Sequence, residues 1–516
     1  MNSQDKIRKI IILGGGTAGW LAACHLARKL KPNHSDGIQI ELIESPHCPN
    51  IGVGEGTVPL MAKTLKEFGI SESEFIQSCN VSFKQGILFE NWNKPAAENT
   101  EPHRYYHPFE YPLLNNDSVA NWLQTKPSDF SYAMGMQSTI CDLGLAPKAI
   151  TDKEYEGKLP YGYHLDAGLF SQFLAKHATT KLGVSHRCAH IIDAELTPDE
   201  HITCLIDEHG NRYAADFFVD CSGFEAFLLQ QKLQVPTIPL THTLFVDRAL
   251  TIQIGHDERT PIVSYTKATA HQSGWIWDIA LPTRRGIGLV YSSQYMAEND
   301  ARTLLGDYIN DAEKAQGARL IDMKIGYKAQ FWKGNCVAIG LAQGFVEPLE
   351  ATGLLLFDVT SKLLATQFPV YKSQLTICER RYNQDVKHLW ESVAVFIKLH
   401  YALSNRDDSR FWLDNRDPAT WPPRLNELLH QWRYQVPSYY DLPNGLDAFH
   451  LENYLYVLYG MAFETRIEEI AHRYEHAEKA QQQFATIRAT APQLAKHLQA
   501  NQMLLEKIKQ FGLSKI

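Results

Sequence analysis

Gly14-Gly15-Gly16-Thr17-Ala18-Gly19 spells G-x-G-x-x-G directly after a short apolar run, KIIIL at 9–13. Glycines at this spacing allow a tight turn and let backbone come close to a pyrophosphate. A helix that starts there offers the phosphates its unpaired N–H groups and the positive end of its dipole. A helix follows, through Trp20 to about residue 30, and a second strand is predicted over 38–44 (IQIELIE). Glu44 ends that strand, 25 positions after Gly19, near the ~20-residue spacing of a carboxylate that binds a ribose hydroxyl. Strand, turn, helix, strand and acid fall in order. A dinucleotide site is therefore predicted at Gly14, Gly16, Thr17, Ala18, Gly19 and Glu44. The motif alone does not separate NAD from FAD.

Two other spacings could do chemistry. His472-Arg473-Tyr474-Glu475-His476 spells H-x-x-E-H, the inverted zinc-protease pattern, whose histidines would share one face of a helix. The flanking segment, 467–483, is mostly charged and polar, so a solvated helix face is the better reading and no metal is assigned. Trp275 and Trp277 lie two residues apart in SGWIWDIAL, 273–281. Alternation with period two would put both indoles on one face of a strand. Such a pair is either a bulky, rigid, dry wall or an ordinary cross-strand patch.

The elements around these residues favour FAD. The segment 213–223 (YAADFFVDCSG) reads as a strand ending in a small-residue turn, after a hairpin-like pair at 201–207 and 211–214 around His209-Gly210. Many FAD-binding folds carry such a segment far downstream of the first glycine turn. NCVAIG, ending at Gly340, reads as another buried strand, followed by GFVEPLEATG (344–353) and a helix over 354–368. A helix start there would offer N–H groups to an anion or to flavin carbonyls. No second G-x-G-x-x-G opens a βαβ unit, which suggests that reduced flavin arrives from elsewhere.

The chain has 516 residues, 44% hydrophobic and 21% charged, the balance of a folded globular protein. This length suggests two or three intimately packed units. The formal net charge of −8 argues against a nucleic-acid surface. No apolar run reaches the ~18 to 20 residues of a membrane helix, and the N-terminus lacks the small-residue cleavage site of a signal peptide. Nine scattered cysteines without C-x-x-C fit free thiols in a reducing cytoplasm. No Pro/Gly/Ser tether and no internal repeat marks a boundary. Residues 1–370 are predicted to form the FAD-binding core with an interleaved substrate-side sheet. Residues 371–516 are predicted to form a mainly helical region completing the substrate pocket.

GGGTAGW (14–20), IGVGEGTVP (51–59), SFKQGILFENW (82–92), GWIWDIA (274–280), FVEPLEATG (345–353) and YALSNRDDSRFWL (401–413) together resemble the flavin-dependent tryptophan halogenases. The similarity runs from the N-terminus to at least Tyr459. The resemblance implies an α/β fold: a Rossmann-like FAD-binding core of flavin monooxygenase type, an interleaved antiparallel sheet and a mainly helical C-terminal region. It implies that FAD, supplied reduced by a separate NAD(P)H-dependent flavin reductase, yields hypohalous acid from O2 and chloride or bromide. The acid then travels through a tunnel to a lysine, which delivers electrophilic halogen to an electron-rich ring, tryptophan or another indole.

On the matching positions, Lys84 is the catalytic lysine and Glu350 its catalytic partner. The N–H groups of Thr352 and Gly353 form the halide site, and Gly52, Gly54, Glu55, Gly56 and Thr57 form the segment that straps the flavin. Trp275 and Trp277 become the flavin-side wall that keeps organic substrate away. His107, Phe109, Phe449, His450, Tyr439 and Tyr440 fall at substrate-binding positions. Four departures stand out: Gly56 where the family usually has alanine, Ala280 for proline, Ala351 for serine and His450 for tryptophan. A flavin monooxygenase that inserts oxygen, or an FAD-binding relative without turnover, are the competing readings. No motif encodes the oligomeric state; a homodimer is one option.

Overall fold

The computed structural model describes residues 5–47, 54–96, 101–111, 116–256, 260–442 and 445–515. Lys9–Leu13 forms a strand whose last four residues are buried. It lies inside a six-stranded sheet between Phe217–Asp220 and Gln39–Glu44, both parallel to it. Cys336–Ala338 and Ser185–Cys188 extend the parallel sheet on either side, and the short Trp332–Lys333 adds an antiparallel edge. Strands buried on both faces read as continuous apolar runs, which is why KIIIL and FFVD show no alternation. The helix Thr17–Leu30 crosses this sheet with its whole middle buried. It begins at Thr17, earlier than the sequence suggests, because Gly16 serves as N-cap and its carbonyl already accepts from Trp20 N.

The segment 213–223 is two strands rather than one. Arg212–Ala214 pairs with Ile202–Asp207 as the expected hairpin, and Phe217–Asp220 then enters the parallel sheet. The switch occurs at Asp216, whose carboxylate accepts from the backbone N–H of Arg8 and Lys9 and pairs with Lys372.

A second, seven-stranded sheet stands beside the first. It runs in the order Arg319–Asp322, Arg248–Gly255, Arg284–Tyr291, Gly274–Ala280, Thr266–His271, Gly86–Glu90, Arg104–Pro108. All neighbours are antiparallel except Thr266–His271 with Gly86–Glu90. A small three-stranded sheet, Gly54–Gly56, Gly162–Asp166 and Ser82–Lys84, brings the strap segment and Lys84 onto one shared strand.

Beyond residue 370 the described residues are mainly helical: the 28-residue helix Leu375–Ala402 is followed by shorter ones to Phe511. Ala477–Ala495 and Asn501–Phe511 are the last two of these helices. The H-x-x-E-H segment is not a continuous helix. A 3₁₀ stretch, Glu468–Arg473, ends at an extended Tyr474, and His476 is left-handed at φ 61°. The segment is solvent-exposed, as expected, but its two histidines do not share one helix face. No helix among the described residues is long and apolar enough to cross a membrane.

Candidate active site

The glycine turn has the geometry of an anion site. Gly14 has φ +117°, and a Cβ there would sit 2.2 Å from the Cys221 carbonyl oxygen, so only glycine lets the two strand ends meet. In front of Gly16 nothing lies within 4 Å of a built Cβ. The N–H groups of Thr17, Ala18 and Gly19, in the first helical turn, have no intrahelical acceptor. Glu44 packs against Gly15 and accepts from His186 Nε2 at 2.8 Å. Gly340, at the end of the Cys336–Ala338 strand, packs directly on Ala18. Glu44, His186 and Cys188 are the one grouping of metal-ligating atoms within 4.8 Å of one another among the described residues.

A separate cavity encloses Lys84. Gly54, Glu55, Gly56, Trp277, Phe345, Leu354 and Phe357 line it, together with Lys84, Thr266, Glu350 and Ala351. Gly353 and Trp275 border it as well. Gly52 lies outside the described residues. Trp275 and Trp277 do share one face, with ring centroids 6.1 Å apart. The Trp277 indole lies flat over Gly288, where any side chain would collide with it. Trp275 Nε1 donates to Glu347 Oε2 at 3.0 Å, and Tyr401 Oη donates to the same oxygen at 2.6 Å. Burial pushes Glu347 up to about 7 against those two hydrogen bonds. The Arg-Asp-Asp stretch props the wall from behind: Arg406 pairs with Asp408 and covers the Trp412 ring, which packs on Trp92, a neighbour of Trp275.

Lys84 ends its strand 1% exposed, and no hydrogen bond joins its amine to a described residue. Phe109 presents its ring 5.3 Å from Nζ. A Cβ on Gly56 would come within 3.1 Å of Nζ, so the bare glycine leaves the amine its room. Burial pushes the Lys84 pKa down to about 8, with the Glu350 charge opposing. Burial, together with the nearby Asp166 charge, raises Glu55 to about 7.

Glu350 sits in a 3₁₀ turn at φ +64°, and Ala351 follows at φ +56°. Two successive left-handed non-glycine residues are strained, and they aim the carboxylate inward. His107 Nδ1 lies 2.8 and 2.9 Å from its two oxygens, and His400 Nε2 lies 2.9 Å from Oε1. The second nitrogen of each ring also faces an acceptor: Asn453 Oδ1 at 3.0 Å for His107 and the Phe396 carbonyl at 2.9 Å for His400. Burial alone would raise the Glu350 pKa. The two imidazoles outweigh it and hold the carboxyl well below the usual carboxylate range. Thr352 and Gly353 open the helix Thr352–Gln367, so their N–H groups lack helical partners. The helix starts two residues earlier than sequence periodicity predicts.

The family model for tryptophan halogenases matches residues 9–476. This chain belongs to the tryptophan halogenase family. It is 33% identical over 470 residues to the tryptophan 6-halogenase SttH of Streptomyces toxytricini, covering 85% of this chain and 86% of that one. The crystal structure of a tryptophan halogenase from Shewanella frigidimarina superimposes with a TM-score of 0.94 at 39% identity, over 99% of both chains. That of Xcc4156, a flavin-dependent halogenase from Xanthomonas campestris, does so with 0.87 at 27%, again over 99% of both. The chain is thus a flavin-dependent halogenase, an enzyme class that uses reduced FAD, a halide and O2. Its residues fit that cofactor. The open space before Gly16 suits a pyrophosphate, Glu44 a ribose, and the apolar cavity between the strap and Trp277 a flat ring.

Not every substrate position gathers at Lys84. His107 and Phe109 reach the site, but both nitrogens of His107 are engaged by Glu350 and Asn453. Phe449 is buried and stacks on Phe396 at 3.9 Å. His450 is exposed as the N-cap of the helix Leu451–Gly460, and Tyr439 and Tyr440 are 59% and 92% exposed. Sequence reasoning overlooked His400, Asn453, His164 and Thr266. His400 had a signal: it is a polar residue in the apolar run VAVFIKLHYAL.

Proposed function

We propose that this halogenase acts on tryptophan or another indole and delivers the halogen through Lys84. The observation that carries the reading is the buried Lys84 amine, which has no hydrogen bond to a described residue, faces the Phe109 ring and shares a mostly apolar cavity with Glu350. Reduced FAD, with O2 and halide, supplies hypohalous acid when bound. The chain then does four things. The Gly14–Gly19 turn and Glu44 hold the dinucleotide, and Gly54, Glu55 and Gly56 lie between its ring and Lys84. Thr352 and Gly353 N–H groups hold halide at a helix start, where an anion needs no positive side chain. Trp275 and Trp277 exclude water and organic substrate from the flavin side. Lys84 donates hydrogen bonds to the hypohalous acid, which would otherwise diffuse away.

Glu350, kept ionised by His107 and His400, is placed to accept the ring proton after halogen attaches. Phe109 offers one wall for an indole. Phe449, carried by the helical region 371–516, supports the opposite side. Residues 1–370 form the flavin-binding unit in this reading. A separate flavin reductase supplies the reduced cofactor, in a reducing cytoplasm suited to the eight free cysteines of the described residues.

Mass spectrometry of reactions with FAD, a flavin reductase, NADH, and chloride or bromide tests the reading across tryptophan, indole and a small aromatic panel. A halogen isotope pattern is expected on an indole and should vanish in Lys84→Ala. Oxygenated products without halogen would overturn it.

A further inference from the structure

Thr266 lines the same cavity as Lys84, and the hydrogen bonds behind it run in one direction. Ser82 Oγ donates to the Ala280 carbonyl at 2.6 Å, which uses its only proton. Toward His164 Nδ1, at the outer limit of a hydrogen bond at 3.5 Å, the Ser82 oxygen can only accept, and the tautomer that satisfies this contact carries the ring proton on Nδ1. His164 is fully buried, and burial together with the Lys84 charge holds it neutral. A neutral ring protonated at Nδ1 is an acceptor at Nε2. Thr266 Oγ1, 2.8 Å from Nε2, donates its one proton there. What remains on Thr266 is an oxygen with lone pairs and nothing to donate. Lys84, in the lining of the same cavity, is the opposite: it has N–H donors and no lone pair while charged. The ring and the amine approach the same point, the position a Cβ on Gly56 would take, to 3.6 and 3.1 Å.

We propose that Thr266 and Lys84 together hold the hypohalous acid. Lys84 donates to its oxygen, its O–H donates to Thr266 Oγ1, and the halogen is the one end left unbound. This rests on the halogenase reading above and names how that site orients its oxidant. No bond is made or broken in the holding step. A bare halide, with no hydrogen to give, gains nothing from Thr266. Ser82 and His164 act through Thr266 and are positioning residues.

The test compares wild type, Thr266→Val and Thr266→Ser in the complete system, with tryptophan and indole as substrates and monochlorodimedone added as a trap for escaped oxidant. Halogenated indole, halogenated trap and O2 consumed are measured together. Loss of one hydrogen bond should lower halogenated indole per O2 about tenfold in Thr266→Val, with the trap gaining the difference. Thr266→Ser should restore most of the partition. Bound flavin fluorescence checks folding; if Thr266→Val does not fold, Thr266→Ala set against Thr266→Ser carries the same comparison. Unchanged partition in Thr266→Val, or Thr266→Ser as impaired as Thr266→Val, overturns the proposal and leaves the halogenase reading standing. Wild type that halogenates neither indole nor trap removes the reading itself.

Discussion

Lys84 and Glu350 face one cavity but are tuned by different surroundings. Glu350 has two imidazoles on its oxygens and stays ionised. Lys84 has only a distant carboxylate and a ring, and burial dominates. Moving its pKa from 10.5 to about 8 corresponds to about 3 kcal/mol against the charged form. The amine is mostly charged below pH 8 and mostly neutral above it. If the ammonium is the working donor, halogenation under single-turnover conditions should fall as pH rises through about 8. Rapid-quench product analysis from pH 6.5 to 9.5 would show this limb. A rate that climbs through pH 8 would mean that the free amine is the reacting form.

At the scale of elements, the turn before Thr352–Gln367 determines where the Glu350 carboxylate and the N–H groups of Thr352 and Gly353 lie. Glu350 and Ala351 both adopt left-handed backbone, a conformation disfavoured by roughly 1–2 kcal/mol for residues with a Cβ. Ala351 has no side-chain hydrogen bond to compensate. Ala351→Gly should therefore raise unfolding stability by about 1 kcal/mol, read from the denaturation midpoint at unchanged slope. Destabilisation would show that the methyl group packs more than it strains. The turn was legible in sequence as a loop followed by a helix. Its left-handed geometry was not, because Glu-Ala carries none of the Gly or Asn signals that mark such backbone.

Across the whole molecule, the dinucleotide turn belongs to the parallel sheet, while Lys84, Trp275 and Thr266 belong to the antiparallel sheet and its small companion. A cofactor spanning them would tie the two sheets together. Ligand that binds only the folded state stabilises it by mass action, about 2.7 kcal/mol at a hundredfold excess over Kd. FAD should accordingly raise the melting temperature in proportion to the logarithm of its concentration. At fixed FAD the shift should shrink in Glu44→Ala, which removes the proposed ribose partner while leaving the glycine turn. Calorimetry showing equal shifts in both proteins would take Glu44 out of the cofactor site.

What the chain determined locally could be read locally. The G-x-G-x-x-G turn, the acid that ends the second strand and the two indoles on one strand face follow from turn chemistry and from periods of 3.6 and 2, which neighbouring residues impose on one another. Tertiary structure alone decided the rest. Glu350 meets His107 across 243 positions and His400 across 50. Ser82, His164 and Thr266 converge from three separate strands. Tyr439, Tyr440 and His450 are exposed, although their match to family positions suggested a place at the substrate. The difference has one physical cause. Backbone preference acts over a few residues, whereas the direction of a buried hydrogen bond and the pKa of a buried group depend on which distant elements close over them.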